Sequence, residues 1–231
     1  VLEGLTRLTR LTKLHVSSEL APGEFAPYLP KLALLPQTCF PLLNLPMVTD
    51  DIVQAVHPHR STHTFTEVYL NLNSLSPESH PLLVEILTSQ TSITKLELES
   101  CPSPDLLLDI LRCAQQSPLK HLKLGSPITS SLQAAHLVVL SSRFDHLETL
   151  HVERLDSFSI VPLLQHAPLQ HITLRVSGLK DWYQLLDSIP STVITLAIVD
   201  ELKEDTLANI KPSICRLISR APHLTGLQIY G

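Results

Sequence analysis

Residues 117–124 read Ser117-Pro118-Leu119-Lys120-His121-Leu122-Lys123-Leu124. Pro118 ends a preceding helix and pushes the chain extended. After it, Leu119, Leu122 and Leu124 make the pattern L-x-x-L-x-L, whose last two leucines share one face of a short strand. With Val, Ile, Phe or Met admitted, the same pattern recurs along the chain. It reads Leu11-Leu14-Val16, Leu42-Leu45-Met47, Phe65-Val68-Leu70 and Ile93-Leu96-Leu98 before this copy. After it come Leu147-Leu150-Val152, Leu169-Ile172-Leu174, Val193-Leu196-Ile198 and Leu224-Leu227-Ile229, nine copies in all. Their middle positions are spaced by 31, 23, 28, 26, 28, 22, 24 and 31 residues, a mean of about 27. Internal self-similarity at such a period is the signature of repeat architecture.

Between the copies lie segments of helical spacing, at residues 77–88, 104–116, 130–140, 157–166, 179–189 and 205–219. In the second of these, Leu107, Ile110 and Leu111 fall on one stripe. Several segments open with Ser, Asp or Pro, as caps and first turns prefer. Pro168 and Pro222, like Pro118, stand just before a strand pattern. Strand, turn, helix and turn in repeated register imply parallel strands with helices on one face. Each unit leaves its own apolar face uncovered, so neighbours stack into a solenoid. The whole of 1–231 reads as one domain, with 22–46 an irregular, proline-dense repeat or insertion.

The pattern resembles the leucine-rich-repeat family, whose units run to roughly 20–29 residues, over nearly the whole chain. The resemblance implies an α/β horseshoe of about nine irregular repeats, strands on the concave face and helices on the convex one. In that family an Asn or Cys stands third after the last marked leucine and bonds backbone where the chain leaves the strand. Asn73 and Cys101 match, whereas Glu19, Asp50, Pro127, Leu155, Ser177 and Glu201 stand at that place in other copies. Phrases such as residues 117–124 and Ala221-Pro222-His223-Leu224 resemble the repeat halves of fungal F-box proteins. Those proteins are substrate receptors of ubiquitin ligases, docked on a Skp-type adaptor through an F-box. No F-box-like segment is visible within these 231 residues.

Composition agrees with a repeated aliphatic unit. Hydrophobic residues make up 44% and aromatic ones only 4%, so the core is expected to be chiefly Leu rather than the usual aromatic mixture. Mean hydropathy of +0.18 speaks against disorder. A net charge of −5 argues against nucleic acid, which calls for clustered Lys and Arg. No apolar run reaches the roughly 18 residues of a membrane helix. Cys39, Cys101, Cys113 and Cys215 lie far apart without a C-x-x-C pair and are expected as buried thiols. With no N-x-[ST] acceptor in the chain, an intracellular location, cytoplasm or nucleus, is favoured over secretion. The start at Val1, without Met or a signal-like segment, suggests a fragment or processed form.

Within each copy, the residues two, four and six places after the first leucine point away from the core. The partner-binding candidates on this ribbon are Glu67, Tyr69, Lys95, Glu97, Glu99, His121, Lys123, His151, Glu153, His171 and Arg175. The same rule places Asn44, Val48, Asn71, Gly125, Val199 and Tyr230 on it. Mixed charges suit a polar protein partner, and they also stabilise one another across strands.

Histidine supplies 12 residues, of which His121, His151 and His171 fall on consecutive copies. Imidazole titrates near neutrality, so a pH-dependent surface or a metal site competes with a reading as unrelated surface residues, which the staggered offsets favour. The stretch His57-Pro58-His59-Arg60-Ser61-Thr62-His63 reads as a flexible loop more readily than as a zinc site, having no nearby Cys. Trp182 and Tyr183 are expected as convex-side helix packing. No phosphate loop, dinucleotide fingerprint, nucleophile elbow, H-E-x-x-H or calcium loop occurs, and the six glycines do not cluster.

The expectation is a non-catalytic protein-interaction module without metal or cofactor. Its narrower form is the substrate-recognition part of an F-box-type receptor, with any Skp-type adaptor held by a segment outside this chain. The alternative is a secreted or stored, lectin-like or receptor-type binding protein. Sugar recognition favours stacked aromatics, and the ribbon offers only Tyr69 and Tyr230.

Overall fold

A computed structural model describes residues 42–44, 48–61, 64–132, 134–141, 144–155, 160–176, 182–199 and 204–230. The copy at Leu11-Leu14-Val16, most of the proline-dense stretch 22–46 and Cys39 lie outside the described residues. The chain divides after Leu119 into two compact units.

The first unit holds β1 (Leu42–Asn44), α1 (Asp50–Val56), β2 (Glu67–Asn71), α2 (His80–Thr88), β3 (Lys95–Ser100) and α3 (Pro104–Ala114). Its strands pair in parallel and in chain order, β1 with β2 and β2 with β3. The second unit holds β4 (His121–Leu124), α4 (Ser126–Ser131), α5 (Ala134–Ser141), β5 (Thr149–Leu155), α6 (Val161–His166), β6 (His171–Val176), α7 (Trp182–Ser188), β7 (Thr195–Val199), α8 (Glu204–Arg220) and β8 (Gly226–Tyr230). Each strand from β4 to β8 again pairs in parallel with the next. The class is α/β, with helical segments between successive strands.

The repeat pattern explains the pairing. Middle leucines meet one another, as in Val68↔Leu96, Leu122↔Leu150, Leu150↔Ile172 and Ile172↔Leu196. The first marked positions (Phe65, Ile93, Leu119, Leu147, Leu169, Val193) are all at most 2% exposed. So are the second (Val68, Leu96, Leu122, Leu150, Ile172, Leu196) and the third (Leu70, Leu98, Leu124, Val152, Leu174, Ile198). Burial of one such side chain contributes about 1.5–3 kcal/mol, so these rows dominate the stability of both units. Residues between them are exposed or half-buried. One face of each set of strands is therefore covered, and the other is open.

Strand entry uses one recurring hydrogen-bond device. The carbonyl after the first marked residue accepts two successive N–H groups from the next strand's approach. Thr66 accepts from Thr94 and Lys95 at 2.8 and 3.1 Å, Lys120 from Glu148 and Thr149 at 2.9 and 2.9 Å. Glu148 does the same for Gln170 and His171, Gln170 for Ile194 and Thr195, and Ile194 for Thr225 and Gly226. Repetition of the bond, as well as of the leucines, holds β3 and each of β5 to β8 in register with the strand before it.

Helices follow local chemistry and pack side by side. In α3, the Ser103 hydroxyl oxygen accepts from Leu106 N at 3.1 Å, Pro104 opens the first turn, and Arg112 sits in the last. Its stripe Leu106, Leu107, Ile110 and Leu111 is buried, and α2 packs beside it. In the second unit, α5 packs on α6, α6 on α7 and α7 on α8. Arg220 at the end of α8 donates to the carbonyls of Leu186 and Asp187 and ties α8 to α7.

The structure corrects several sequence expectations. In the second copy, Leu43, not Leu45, is the partner of Val68, and Asn44 stands opposite Tyr69. The pattern there is read two residues too late, because a shift of two preserves alternation. Val48, expected on the open face, is 1% exposed and donates its N–H to Asn71 O at 2.9 Å. The helix α1 is also new, although Thr49 at its N-cap and Asp50 and Asp51 in its first turn announce one. Residues 57–61 are not a loose loop. His57–His59 form a 3-10 turn, and His57 Nε2 lies 2.7 Å from Glu85 Oε2. Gly125 is buried at the N-cap of α4 rather than open. Cys113 is buried and Cys101 half-buried, but Cys215 is exposed on α8. Tyr183 is exposed as well.

Candidate functional site

The open strand faces carry the candidate residues, and each unit builds its own. In the first, Glu67, Tyr69 and Asn71 of β2 are half-buried, as are Lys95, Glu97 and Glu99 of β3. Glu67 stands opposite Lys95, and Tyr69 opposite Glu97. Lys95 nonetheless bonds within its own strand, with Nζ 2.6 Å from Glu97 Oε1. A residue and its second neighbour share one face, so the pair costs no change of register. At the strand ends β3 has one residue more than β2, since Leu70 meets Leu98 but Asn71 meets Ser100. Glu99 is that extra residue, in a β-bulge.

The bulge has its own polar lock. Ser100 is buried; its hydroxyl donates to Asn71 Oδ1 at 2.7 Å and accepts from Leu72 N at 3.1 Å. The role expected of Asn73 is thus filled by Ser100 with Asn71, while Asn73 itself is exposed. Cys101 does meet backbone as it leaves β3, with Sγ 3.3 Å from Ser103 O, and burial pushes its thiol above the ordinary range. Before β2 and β3, the buried Gln90 accepts from Phe65 N at 2.8 Å and donates to Arg60 O at 2.9 Å.

In the second unit the register lays the candidates in rows. His121, Thr149, His171, Thr195 and Gly226 make one row across β4 to β8. Lys123, His151, Thr173, Ala197 and Gln228 make the next. Arg175, Val199 and Tyr230 follow on β6 to β8, with Arg175 and Tyr230 exposed.

Glu153 is gathered into this face by a second bulge. Val152 meets Leu174 but Leu155 meets Val176, so β5 has one extra residue. Arg154 there takes φ 57, a left-handed conformation uncommon for a side-chain-bearing residue. The buried Thr129 hydroxyl of α4 lies 2.9 Å from both Glu153 O and Arg154 O and holds the kink. Glu153 Oε1 then receives Lys123 Nζ at 2.9 Å and stands 3.6 Å from His151 Nε2. The Lys123 hydrogen bond holds the Glu153 carboxyl below its ordinary range, with Lys123, His151 and Arg175 adding electrostatic pull.

At the rim, Lys120 Nζ lies 2.9 Å from Glu148 Oε1. That hydrogen bond lowers the Glu148 carboxyl, helped by the fields of Lys120, His121 and His171. His171 Nδ1 is 2.8 Å from Thr195 Oγ1. The register thus brings His121 and His171 to either side of Thr149, and His151 to the row below. Sequence reasoning missed Lys120 and Glu148, although both stand one place after the first leucine in consecutive copies. It also missed Thr129, whose role depends on a bulge that no local pattern marks.

An open cavity of about 660 Å³ lies in the second unit among Asp145, Gln165, His166, Ser188, Thr192 and Arg220. Three of its polar groups are committed to the fold. Ser188 donates to Gln184 O at 2.5 Å, Thr192 to Leu169 O at 2.8 Å, and Arg220 to α7. Among the described residues no three His, Cys, Asp or Glu side chains gather as a metal-holding group. Among them, too, no helix is long and apolar enough to cross a membrane. No protein-family model matches this chain, and no curated protein matches it in sequence.

Proposed function

We propose that this chain is a leucine-rich-repeat-type module that binds another protein through its open strand faces, and that it performs no catalysis. One observation carries the reading. The covered side of the strands from β2 to β7 repeats Leu, Val or Ile, while the open side changes from strand to strand and is polar from β2 to β6. A purely structural sheet has no need of that variety, whereas a recognition surface does. The open cavity of the second unit is lined in part by groups already bonded to backbone, Ser188, Thr192 and Arg220, which favours a macromolecular partner over a small substrate. Strand, helix and repeated entry bonds support the leucine-rich-repeat assignment.

The narrower role, substrate recognition within an F-box-type ubiquitin ligase, rests on the sequence resemblance alone. It requires an intracellular location and a Skp-type adaptor bound elsewhere on the full protein. Two experiments separate these levels. Photo-crosslinking residues placed at Glu97 and His151 should yield protein adducts, and ones at Arg112 and Arg216 on the helices should not. Adducts confined to the helix positions would end the strand-face reading. Failure of the full-length protein to co-purify with a Skp-type adaptor would remove the ligase role and leave the binding module standing.

A further inference from the structure

The two open faces differ in sign. Among the described residues of the first unit's open face, Glu67, Glu97 and Glu99 accompany one cation, Lys95. In the second, both carboxylates are answered by lysines, Glu153 by Lys123 and Glu148 by Lys120. Beyond those pairs, that face carries Arg175, exposed on β6, and the imidazoles of His121, His151 and His171. Its hydroxyls, from Thr149, Thr173 and Thr195, stand between and beside the imidazoles in register.

We propose that the open face of β4 to β7 binds a carboxylate-rich segment of the partner protein. The inference rests on the protein-binding reading above and adds the chemistry of what is bound. A carboxylate is an acceptor-only group, and this face is rich in donors: a guanidinium, imidazole N–H groups and threonine hydroxyls. Strands lie about 4.8 Å apart, so His121 and His171, two strands apart on one row, flank a space about 10 Å wide floored by Thr149. His151 and Arg175 border the same area from the next rows. A carboxylate side chain entering there meets donors on several sides without displacing either lysine pair. The acidic face of the first unit repels the same segment, which confines it to the second.

Protonation sharpens the preference. Each imidazole has a defined electrostatic setting: His121 near Lys120 and Glu148, His151 beside Glu153 and Lys123, His171 bonded to Thr195 and near Glu148. Imidazole gains its proton as the pH falls through about 6.5, while peptide carboxylates stay ionised down to about 4. The pH dependence of binding between 7.5 and 6.0 therefore reads whether these imidazoles take part, since the bound segment keeps its negative charge across that range.

The test uses the full chain and three fluorescent peptides: one rich in Asp and Glu, its Asn/Gln isostere, and its Lys-rich reverse. The acidic peptide should bind about tenfold more tightly at pH 6.0 than at 7.5, the order expected from a few added surface charge contacts, and should be released by salt. The triple variant His121→Gln, His151→Gln, His171→Gln should lose most of that pH gain, and Arg175→Gln should weaken binding at both pH values. His166→Gln, at the exposed end of α6, should change neither; all four proteins should share one circular-dichroism spectrum. Equal binding of the Lys-rich peptide, equal affinity at the two pH values, or a triple variant that keeps the gain would each overturn the proposal. If crosslinks from His151 persist while the acidic peptide fails to bind, this inference falls and the protein-binding reading stands. If both fail, the reading itself falls.

Discussion

Set side by side, the strands of the first unit and those of the second are the same object on their covered side and different objects on their open side. Leu96 and Leu98 of β3 have the environment of Leu150 and Val152 of β5: apolar, alternating and almost wholly out of water. Both strands end in a bulge with a glutamate in it, Glu99 or Glu153. The glutamates nevertheless meet different surroundings. In β3 Lys95 pairs with Glu97 rather than with the bulge glutamate, whereas in β5 the bulge glutamate is clasped between Lys123 and His151. Packing tolerates little variation in the covered rows, since a missing methylene leaves a cavity. The open rows are bound by no such rule, and there the units are free to acquire opposite character.

The strongest challenge to this comparison is to cut equivalent core positions. Leu96→Ala and Leu150→Ala should each destabilise the protein by about 2–5 kcal/mol in urea titrations. A marked inequality between them would show that the covered rows are not equivalent. Next come the polar locks, which differ between units. Gln90→Ala strands Phe65 N and should cost about 1–3 kcal/mol. Thr129→Val, which releases the β5 bulge, should cost about 1–2 kcal/mol and should also weaken the Lys123–Glu153 pair, visible as a shift of the Lys123 side-chain signals in NMR.

Acid unfolding probes the faces themselves. The folded Glu153 carboxyl titrates below its unfolded value, chiefly through the Lys123 hydrogen bond. Its contribution is thus complete above the unfolded value of about 4.3 and vanishes as the pH falls through the lower, folded one. Lys123→Met should remove that dependence, so the melting temperature of the variant should fall less steeply than that of the parent between about pH 5 and 3; the stake is about 1 kcal/mol or less. Least affected should be the first unit's half-buried pair, Lys95 with Glu97. Glu97→Gln, which unpairs Lys95, should alter stability by no more than about 0.5 kcal/mol. A larger loss would mean that the acidic face is a structural ladder rather than a free surface.

How much of this was legible depended on distance along the chain. From β2 to β7 the L-x-x-L-x-L pattern predicts which residues are covered, and Phe65, Val68 and Leu70 through Val193, Leu196 and Ile198 are all buried as read. At β1 the same rule slipped, because Leu42, Leu43 and Leu45 admit two readings that differ by two residues and only pairing with Val68 separates them. That slip carried the extended reading past Met47 and hid α1. Most of the open-face candidates are exposed or half-buried as expected, from Glu67 through Arg175, while Val48 and Gly125 are not. The bulges at Glu99 and Glu153 were illegible, since each is defined only against its neighbouring strand.

By itself, the sequence determined the alternation of each strand, the helical stripes between strands and the spacing that lets like positions meet. Those are local properties, set by periods of about 2 and 3.6 residues. Tertiary structure alone decided which side chains meet across the open face. Lys123 and Glu153 are remote in sequence, as are Phe65 N and Gln90 Oε1, separated by 25 residues. Parallel pairing closes such distances through an intervening helix, and a single bulge residue changes which side chain arrives opposite which. The core could be read from the chain because apolar burial is non-directional. The charged contacts could not, because hydrogen bonds and ion pairs depend on distance and angle.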